Sequence, residues 1–582
     1  GVSSFGISGT NAHVILEAGP DAAEHPGPGP GTPPDHGAPV PWLVSGSTEE
    51  ALRDQARALL ERVDHADVRD TGFSLATTRA ALEHRAVVVA RDADGFRGAL
   101  TAVAAGEPEH RGVTGPATAG GLGFLFSGQG AQTVGMGRDL AAAFPVFADA
   151  FAEASAGVGG IRVDDEDVLR GTGNAQRALF AYQVALYRLW ESWGVVPDAL
   201  VGHSVGEVAA AHVAGVLSLE EACRLVTARA DLMESLAPGG VMMSLHAAED
   251  EVAGSLPDGV SVAAVNGPRS LVVSGDAEAV ERCAKRWPGA RRLRVSHAFH
   301  SHHMDGMLDD FTEVVRGLTF HRPEIPVLAS GDMTDPDYWV RQVREPVRFL
   351  DGMRALLERG VRTFCEIGPD AVLTGLGEEC AEDVPGTLFV ASARRGRSEA
   401  DETARALGEL AAHGVTPRWE RVFPGARRVD LPTYSFQHRR YWKEPQAPDG
   451  DFWSLVRRQD LNALTESLRV DGDPKLSEVL PALARWHRKG ESAAALGRWR
   501  YGLTWAALPG LPAAELSGTW LVVPLGAADP LTESVLKAVA GRGGVPAVVR
   551  PEDVPARVGE APVAGVLLLL GADGGAAEPD AG

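Results

Sequence analysis

Cysteine and long apolar runs are scarce in this sequence. Its 582 residues contain four cysteines, and no two of them form a C-x-x-C pair, which argues against a disulfide framework or a zinc ribbon. Isolated thiols are typical of reducing compartments, so we expect a cytoplasmic protein. The longest apolar run, around residues 563–570, is far shorter than the roughly 20 residues of a membrane-spanning helix. No membrane association is therefore expected.

Runs of basic residues are also missing. The chain has 55 lysine and arginine residues against 78 aspartate and glutamate residues, and its net charge is -23. Because a nucleic-acid-binding protein needs a basic face for the phosphate backbone, no nucleic-acid partner is expected. A hydrophobic content of 45% and a charged content of 23% are ordinary for globular proteins. The length predicts three or more domains.

The most informative local pattern is G-H-S-V-G at residues 202–206. An apolar stretch precedes it and the small residues V-A-A-A follow it, as in the strand–turn–helix of a nucleophile elbow. Glycines on both sides of Ser204 would let the strand and the helix approach closely. The free N–H groups at the start of that helix would face charge developing on a substrate. The pattern therefore predicts a nucleophilic serine.

A cluster of histidines lies downstream of this serine. A serine hydroxyl needs a base within hydrogen-bond reach, and elbow folds place the histidine after the serine in the chain. His297, His300, His302 and His303 lie in one short segment. A zinc site is the alternative interpretation, but no second group of Cys, Asp or Glu at ligand spacing accompanies the histidines. The segment predicts one histidine that serves Ser204, and no metal site.

Five motifs follow one another along the chain: G-Q-G-A-Q, G-H-S-V-G-E, T-A-R-A-D-L-M, H-A-F-H-S and E-I-G-P. In this order and spacing they resemble the acyltransferase domain of modular type I polyketide synthases. The N-terminal G-V-S-S-F-G-I-S-G-T-N-A-H-V resembles the end of a ketosynthase domain. Because the chain begins inside that motif, we expect a fragment of a larger protein. L-P-T-Y-S-F-Q-H-R-R-Y-W resembles the linker after the acyltransferase, and its lack of period predicts that it lies on another surface.

The resemblance implies a role for each matching residue. Ser204 would form the acyl ester, and His300 would act as general base and acid, oriented by a backbone carbonyl rather than a carboxylate. The Val205 N–H and Gln129 would form the oxyanion hole, although Gln129 could also be a simple turn residue. Arg229 lies in an apolar helical stretch, where an arginine is costly unless paired. The family assigns it the malonyl carboxylate, and the alternative is a surface arginine on an amphipathic helix.

Two segments carry the expected choice of extender unit. Families that accept methylmalonyl usually have Y-A-S-H where this chain has His297-Ala298-Phe299-His300, and Phe299 would fill the room for a 2-methyl group. The segment G-T-G-N-A-Q, which ends at Gln176, resembles the malonyl-type E-T-G-Y-A-Q but differs at its first and fourth positions. Gln176, His297 and Phe299 are therefore predicted to contact substrate. One methyl group is worth about 1–3 kcal/mol, so the sequence predicts a preference for malonyl.

The predicted fold is α/β. At its centre is an acyltransferase with an α/β-hydrolase-like large subdomain and an inserted ferredoxin-like small subdomain, flanked by an α/β linker and a partial Rossmann-like unit. The segments are residues 1–18 (ketosynthase C-terminal tail), 19–118 (ketosynthase–acyltransferase linker), 119–405 (acyltransferase, small subdomain about 240–297), 406–447 (post-acyltransferase linker), 448–500 (helical dimerisation element) and 501–582 (N-terminal part of a ketoreductase structural subdomain). A helix is predicted over residues 178–190.

The sequence thus predicts transfer of a malonyl unit from malonyl-CoA, through a Ser204 ester, to the phosphopantetheine thiol of an acyl carrier protein. The carrier holds the phosphopantetheine, so no cofactor is expected in this chain. The last segment lacks G-x-G-x-x-G, so no nucleotide binding is expected either. Other expected partners are an upstream ketosynthase, a downstream ketoreductase and a second copy, paired through Leu476, Leu480 and Leu483 unless these are ordinary core. Rival interpretations are a serine esterase or thioesterase and a non-catalytic scaffold.

Overall fold

A computed structural model describes residues 2–5, 11–15, 37–65, 67–107, 113–114, 120–438, 451–468, 475, 480–481, 483–485, 516–524, 530–560 and 562–569. The chain forms two compact units, Gly1–Arg439 and Arg440–Gly582. Among the helices described, none combines the length and apolar character that crossing a lipid bilayer requires.

The first unit begins with a strand pair and a small α/β domain. The elements are β1 (Val2–Phe5), β2 (Asn11–Val14), β3 (Val40–Gly46), α1 (Glu49–Leu60), α2 (Val68–Thr78), β4 (His84–Ala90), α3 (Ala93–Ala105) and β5 (Val113–Thr114). Strands β3, β4 and β5 form an antiparallel sheet, and β1 pairs with β2. The core of this domain contains Trp42 stacked on Phe96, with ring centroids 3.9 Å apart.

The first half of the large subdomain surrounds a parallel sheet. Its elements are β6 (Gly121–Phe126), α4 (Arg138–Ala143), α5 (Pro145–Gly157), α6 (Glu166–Arg170), α7 (Thr172–Ser192), β7 (Ala199–Gly202), α8 (Gly206–Val213) and α9 (Leu219–Ser235). Helix α7 is apolar on nearly every face, as expected of a helix buried on all sides. It begins six residues earlier than predicted, so the segment that ends at Gln176 forms its first turn.

An α+β subdomain interrupts the large one, as predicted. Its elements are β8 (Val241–Leu245), α10 (Glu249–Ala253), β9 (Val260–Gly267), β10 (Ser270–Gly275), α11 (Ala277–Ala284) and β11 (Arg291–Arg292). The strands are antiparallel in the order β11-β8-β10-β9. This is the β-α-β-β-α-β arrangement of ferredoxin-like folds.

The chain then returns to the large subdomain. The elements are a 3-10 helix (His302–Met307), α12 (Leu308–Arg316), α13 (Pro336–Arg344), α14 (Phe349–Glu358), β12 (Val361–Ile367), α15 (Leu373–Cys380), β13 (Leu388–Ala391), α16 (Glu399–Ala412) and α17 (Trp419–Val422). Strands β13, β12, β6 and β7 lie side by side in that order, all parallel. The carboxyl ends of β6 and β7 therefore meet at one edge, where an α/β fold places its site.

The aromatic-rich segment after the acyltransferase lies on the small N-terminal domain, in agreement with the prediction that it covers another surface. The hydroxyl of Tyr434 contacts Ser47, accepting from its N–H at 2.7 Å. The Val429 N–H donates to the Ser74 hydroxyl at 2.8 Å, and the Ser435 N–H donates to the Gln55 side chain at 3.1 Å. Backbone hydrogen bonds thus hold a segment that has no regular structure of its own.

The second unit contains two helices and a parallel sheet. The elements are α18 (Asp451–Arg458), α19 (Leu461–Leu468), β14 (Thr519–Pro524), α20 (Pro530–Ala540), β15 (Val545–Val548), a 3-10 helix (Pro551–Asp553), α21 (Val554–Glu560) and β16 (Val563–Leu569). The strand order β15-β14-β16, with helical crossovers, is the predicted Rossmann-like pattern. Leu480 packs in a small cluster with Val456 and Leu464, and Leu476 lies outside the described residues.

Candidate active site

Ser204 occupies the sharp turn between β7 and α8. Its φ is 53°, a left-handed conformation that is uncommon for a residue with a side chain and that recurs at functional sites. The flanking glycines are required by packing, because a Cβ on Gly202 would lie 2.4 Å from the backbone of Glu207, and one on Gly206 would lie 2.3 Å from the Phe126 carbonyl oxygen. The predicted close approach of strand and helix is confirmed.

His300 is the histidine that reaches Ser204. Its Nε2 lies 2.9 Å from the Ser204 Oγ, and its Nδ1 lies 2.8 Å from the Glu345 carbonyl oxygen. Since a carbonyl only accepts, Nδ1 carries the proton, and Nε2 is free to accept the serine proton. Burial, reinforced by the positive charge of Arg229, lowers the pKa of His300 to about 3. The imidazole is therefore neutral at pH 7, as a general base must be.

Arg229 points at the same serine. Its Nη2 donates to the Ser204 Oγ at 2.9 Å, and its Nη1 donates to the Gln176 side-chain oxygen. The residue is only 3% exposed, and its Nε–H has no hydrogen-bond partner among the described residues. Burial lowers the pKa of Arg229 to about 10, with Glu207 opposing the change. A cation with an unused Nε–H donor thus lies beside the Ser204 hydroxyl.

The predicted oxyanion donors lie on the two loops that end β6 and β7. The N–H groups of Gly206, Glu207 and Val208 each donate to the carbonyl three residues back. The Val205 N–H, by contrast, has no backbone acceptor among the described residues. Gly128 packs against His203, since a Cβ there would lie 2.7 Å from the His203 ring. Gln129, the next residue, is half-buried. Both predicted donors therefore border the elbow.

Helix α13 contributes residues that the motifs did not identify. Gln342 donates to the Ser204 carbonyl at 2.9 Å, and one turn earlier the Tyr338 hydroxyl donates to the Glu207 carboxylate. Glu345, whose carbonyl orients His300, follows at the end of the same helix. Burial raises the pKa of Glu207 to about 7, against opposing effects of Tyr338 and Arg229. The polar i, i+4 spacing of Tyr338 and Gln342 on a buried face is the signal that could have indicated them.

The two predicted specificity segments are brought together. The Thr172 hydroxyl lies 2.5 Å from the Ser296 hydroxyl, which in turn lies 3.0 Å from the His297 Nδ1. The His297 Nε2 donates to the Leu236 carbonyl at 3.1 Å. Both ring nitrogens of His297 are therefore hydrogen-bonded within the protein. The imidazole can shape a pocket, but neither nitrogen is left to bond to a substrate. The ring of Phe299 follows, 6.0 Å from that of His297 and 8% exposed.

Gln176, which was predicted to contact substrate, is fully buried and bonds to Arg229 and, at 3.2 Å, to the sulfur of Met233. It lies in the packed contact between α7 and α9, because α7 begins at Thr172. It is a positioning residue for the Arg229 guanidinium. Its contact with substrate stays a prediction.

The histidine cluster divides. His300 bonds to the Ser204 hydroxyl, and His297 bonds to the Leu236 carbonyl. The Nε2 atoms of His302 and His303 both bond to Asp276. The sequence has no second group of Cys, Asp or Glu at ligand spacing, and the fold brings a single distant carboxylate to this pair. Asp276 is 26 residues earlier in the chain and approaches only in the folded protein.

A cavity of about 870 Å³ borders the loop that carries Gln129. Six arginines line it: Arg138, Arg170, Arg294, Arg394, Arg395 and Arg397. Three carboxylates, Asp139, Glu166 and Glu399, also line it. Five of these arginines pair with carboxylates, whereas Arg294 forms no ion pair among the described residues.

Comparison with known proteins identifies the class. Residues 123–417 match the model of the family described as the acyl transferase domain, which is about half of the chain. The acyltransferase domain from the second module of the salinomycin polyketide synthase, a crystal structure, is 48% identical with a TM-score of 0.58. The match covers 68% of this chain and 99% of that one. The chain belongs to the acyl transferase family.

The flanking segments identify the kind of acyl transferase. Residues 1–89 match the ketoacyl-synthetase C-terminal extension, and residues 449–492 match the polyketide synthase dimerisation element domain. Together the three matched regions are those of a modular type I polyketide synthase. Polyketide synthase GfsA of Streptomyces halstedii is 43% identical over 93% of this chain, and GfsB of the same organism is 44% identical over 93%. The chain spans 8% and 11% of the lengths of these two relatives.

Proposed function

We propose that this chain transfers a malonyl extender unit from malonyl-CoA, through an ester on Ser204, to the phosphopantetheine thiol of an acyl carrier protein. The observation that carries the proposal is the position of Arg229. The Nη2 of this buried guanidinium lies 2.9 Å from the Ser204 Oγ, and its Nε–H has no partner in the part of the chain that the structure describes. A cation there favours an acyl group that ends in a carboxylate, and an arginine–carboxylate hydrogen bond is worth about 1.5–3 kcal/mol.

In the first half-reaction Ser204 attacks the thioester carbonyl while its proton passes to His300 Nε2. The oxyanion that forms accepts from the Val205 N–H and from Gln129; one such donor is worth about 2.7–4 kcal/mol of barrier. His300 then protonates the departing CoA thiolate, and malonyl-Ser204 remains. The second half-reaction reverses these roles: the carrier thiol gives its proton to His300 and attacks the ester, and the serine leaves with that proton.

The rival enzymatic interpretation, an esterase or thioesterase, is less well supported. A hydrolase needs water to reach the acyl ester, and such enzymes usually build the oxyanion loop from H-G-G-G. Here the loop after β6 is G-Q-G-A-Q, and the group beside the serine is a buried arginine. A purely structural role for the central domain is disfavoured by the strained Ser204 and the neutral His300 in contact with it.

Steady-state kinetics with malonyl-CoA and an acyl carrier protein test the proposed reaction. Two half-reactions that share one acyl-enzyme give a ping-pong pattern, in which double-reciprocal lines at different carrier concentrations are parallel. Malonyl-carrier should accumulate faster than free malonate. Intersecting lines, or free malonate as the main product, would contradict transfer through Ser204.

The choice of malonyl over methylmalonyl is proposed to reside in Phe299. We expect the double variant Phe299→Ser with His297→Tyr to shift the kcat/KM ratio towards methylmalonyl-CoA by about 5–100-fold, because a buried methyl group is worth about 1–3 kcal/mol. The measurement is competition between the two donors. His297→Tyr alone is the matched control, because it keeps the Phe299 ring. If the ratio does not move in the double variant, selectivity lies outside this segment.

The arginine-lined cavity supports CoA as the donor, because one of its arginines, Arg294, is available to the CoA phosphates. Arg294 forms no ion pair among the residues described and lines the cavity. We expect Arg294→Ala to raise KM for malonyl-CoA by up to about fivefold, the effect of an exposed charge pair, with no change for malonyl-pantetheine, which lacks the nucleotide. Arg292→Ala is the matched control, because Arg292 pairs with Glu281 outside this cavity. Equal effects on both donors would overturn this role.

We further propose that the chain works beside an upstream ketosynthase and a downstream ketoreductase and that it forms a homodimer. The dimerisation-element match supports the dimer. Leu480 is not an available contact, because it is 3% exposed and packs on Val456 and Leu464 of its own chain. For residues 501–582 the parallel order β15-β14-β16 supports the start of a ketoreductase structural subdomain. We propose that this segment binds no NADPH.

A further inference from the structure

Asp276, His302 and His303 form a cluster that the proposed acyl transfer does not use. The Nε2 atoms of His302 and His303 lie 3.1 Å and 3.0 Å from the same oxygen, Oδ1 of Asp276. The two imidazole rings are 4.5 Å apart between centroids. One nitrogen from each histidine and a carboxylate oxygen all lie within 4.8 Å of one another.

The backbone around the cluster holds the three side chains in place. Asp276 directly follows β10 and directly precedes α11, and its N–H donates to the Gly259 carbonyl at 2.9 Å. His302 and His303 open the 3-10 helix that begins two residues after His300. Gly240, at the start of the small subdomain, leaves room for the His303 ring, because a Cβ there would lie 3.1 Å from its Nε2.

The spacing suits a divalent transition metal. Zinc binds imidazole nitrogen at 2.0–2.1 Å and carboxylate oxygen at 2.0–2.2 Å, so ligand atoms at the corners of a tetrahedron lie about 3.3–3.5 Å apart. The distances from Asp276 to the two nitrogens are within a few tenths of an ångström of that edge. A carboxylate oxygen and two imidazole nitrogens are also ligand types that zinc commonly takes in proteins.

We propose that Asp276, His302 and His303 form a binding site for Zn²⁺ or a similar first-row divalent ion, with water in the remaining coordination position. All three side chains are partly exposed, with side-chain exposures of 55%, 39% and 23%, so an ion can enter from solvent. Because Asp276 belongs to the small subdomain and the histidines follow His300, a bound ion links that subdomain to the segment that carries the catalytic base. Binding to the folded chain alone would raise its stability.

The test is calorimetric titration of Zn²⁺ into the chain, prepared without a histidine tag and dialysed against a chelator. We expect one saturable site and a higher Tm in the presence of Zn²⁺. Asp276→Asn and the double variant His302→Gln with His303→Gln should each weaken affinity by at least tenfold, in the range of about 10–100-fold known for weakened metal sites. Co²⁺, whose visible absorption reports coordination geometry, provides a second measurement.

His321→Gln is the matched control, since His321 is exposed and lies elsewhere in the large subdomain. Because the cluster residues are partly exposed, we expect the variants to fold. Far-UV circular dichroism checks this. Loss of affinity in the cluster variants, with wild-type affinity in His321→Gln, supports the site. Equal affinity in all of them, or no saturable binding by the wild-type chain, overturns it and leaves a hydrogen-bonded His–Asp–His cluster only.

Discussion

Replacing Ser204 by alanine is expected to abolish the acyl-enzyme and to reduce malonyl transfer on the order of 10⁶-fold, the scale seen when a serine hydrolase loses its nucleophile. No other hydroxyl can substitute, because His300 Nε2 and Arg229 Nη2 both converge on the Ser204 Oγ at 2.9 Å. The fold should remain intact. Alanine keeps the Cβ that the backbone already accommodates at a φ of 53°, so no new strain arises.

The measurement is retention of labelled malonyl on the protein, with Ser235→Ala as the control. Ser235 is exposed at the end of α9, and its hydroxyl donates to the Leu232 carbonyl of its own helix, so that variant should label like the wild type. Stable labelling of the Ser204→Ala protein would contradict the nucleophile assignment. A thermal melt of both variants separates loss of chemistry from loss of folding.

Replacing Arg229 by alanine is expected to weaken the preference for a carboxylate-bearing donor. The kcat/KM for malonyl-CoA should fall by about 10–150-fold, the equivalent of the 1.5–3 kcal/mol of a charged hydrogen bond. Reactivity with acetyl-CoA should fall less or rise, because Ser204 and His300 remain in contact. The measured quantity is the malonyl-to-acetyl ratio of kcat/KM. That ratio cancels any loss common to both donors from the missing Arg229–Ser204 hydrogen bond.

Two variants sharpen this result. Arg224→Ala changes an exposed arginine on the same helix and should leave the ratio at its wild-type value. Arg229→Lys keeps the charge but loses the planar fork, so its ratio should fall between those of the wild type and the alanine variant. A malonyl-to-acetyl ratio unchanged in Arg229→Ala would mean that the substrate carboxylate binds elsewhere.

The elbow could be predicted because its determinants are local. Gly202, Ser204 and Gly206 lie within five residues. A Cβ on Gly202 would clash with the start of α8, and a Cβ on Gly206 would clash with the end of β6. The ferredoxin-like small subdomain and the Rossmann-like β14–β16 segment were also predicted. Alternating short apolar runs and amphipathic segments indicate such elements without knowledge of distant contacts.

Distant pairings could not be predicted from local patterns. The bond between Gln176 and Arg229 joins residues 53 apart, and that between Tyr338 and Glu207 joins residues 131 apart. Asp276 gives no sign in the sequence that it will meet His302 and His303. The start of α7 was missed for a different reason: a glycine-containing G-T-G-N sequence favours a loop, but packing against α9 overrides that propensity.

Malonyl transfer through Ser204 is tested most directly by the mass of the intact protein after brief incubation with malonyl-CoA. We predict one added malonyl group, located on the Ser204 peptide and removed when an acyl carrier protein with its phosphopantetheine arm is added. The adduct should be absent when acetyl-CoA replaces malonyl-CoA at the same concentration. An unmodified protein accompanied by free malonate, or an adduct on another residue, would contradict malonyl transfer through Ser204.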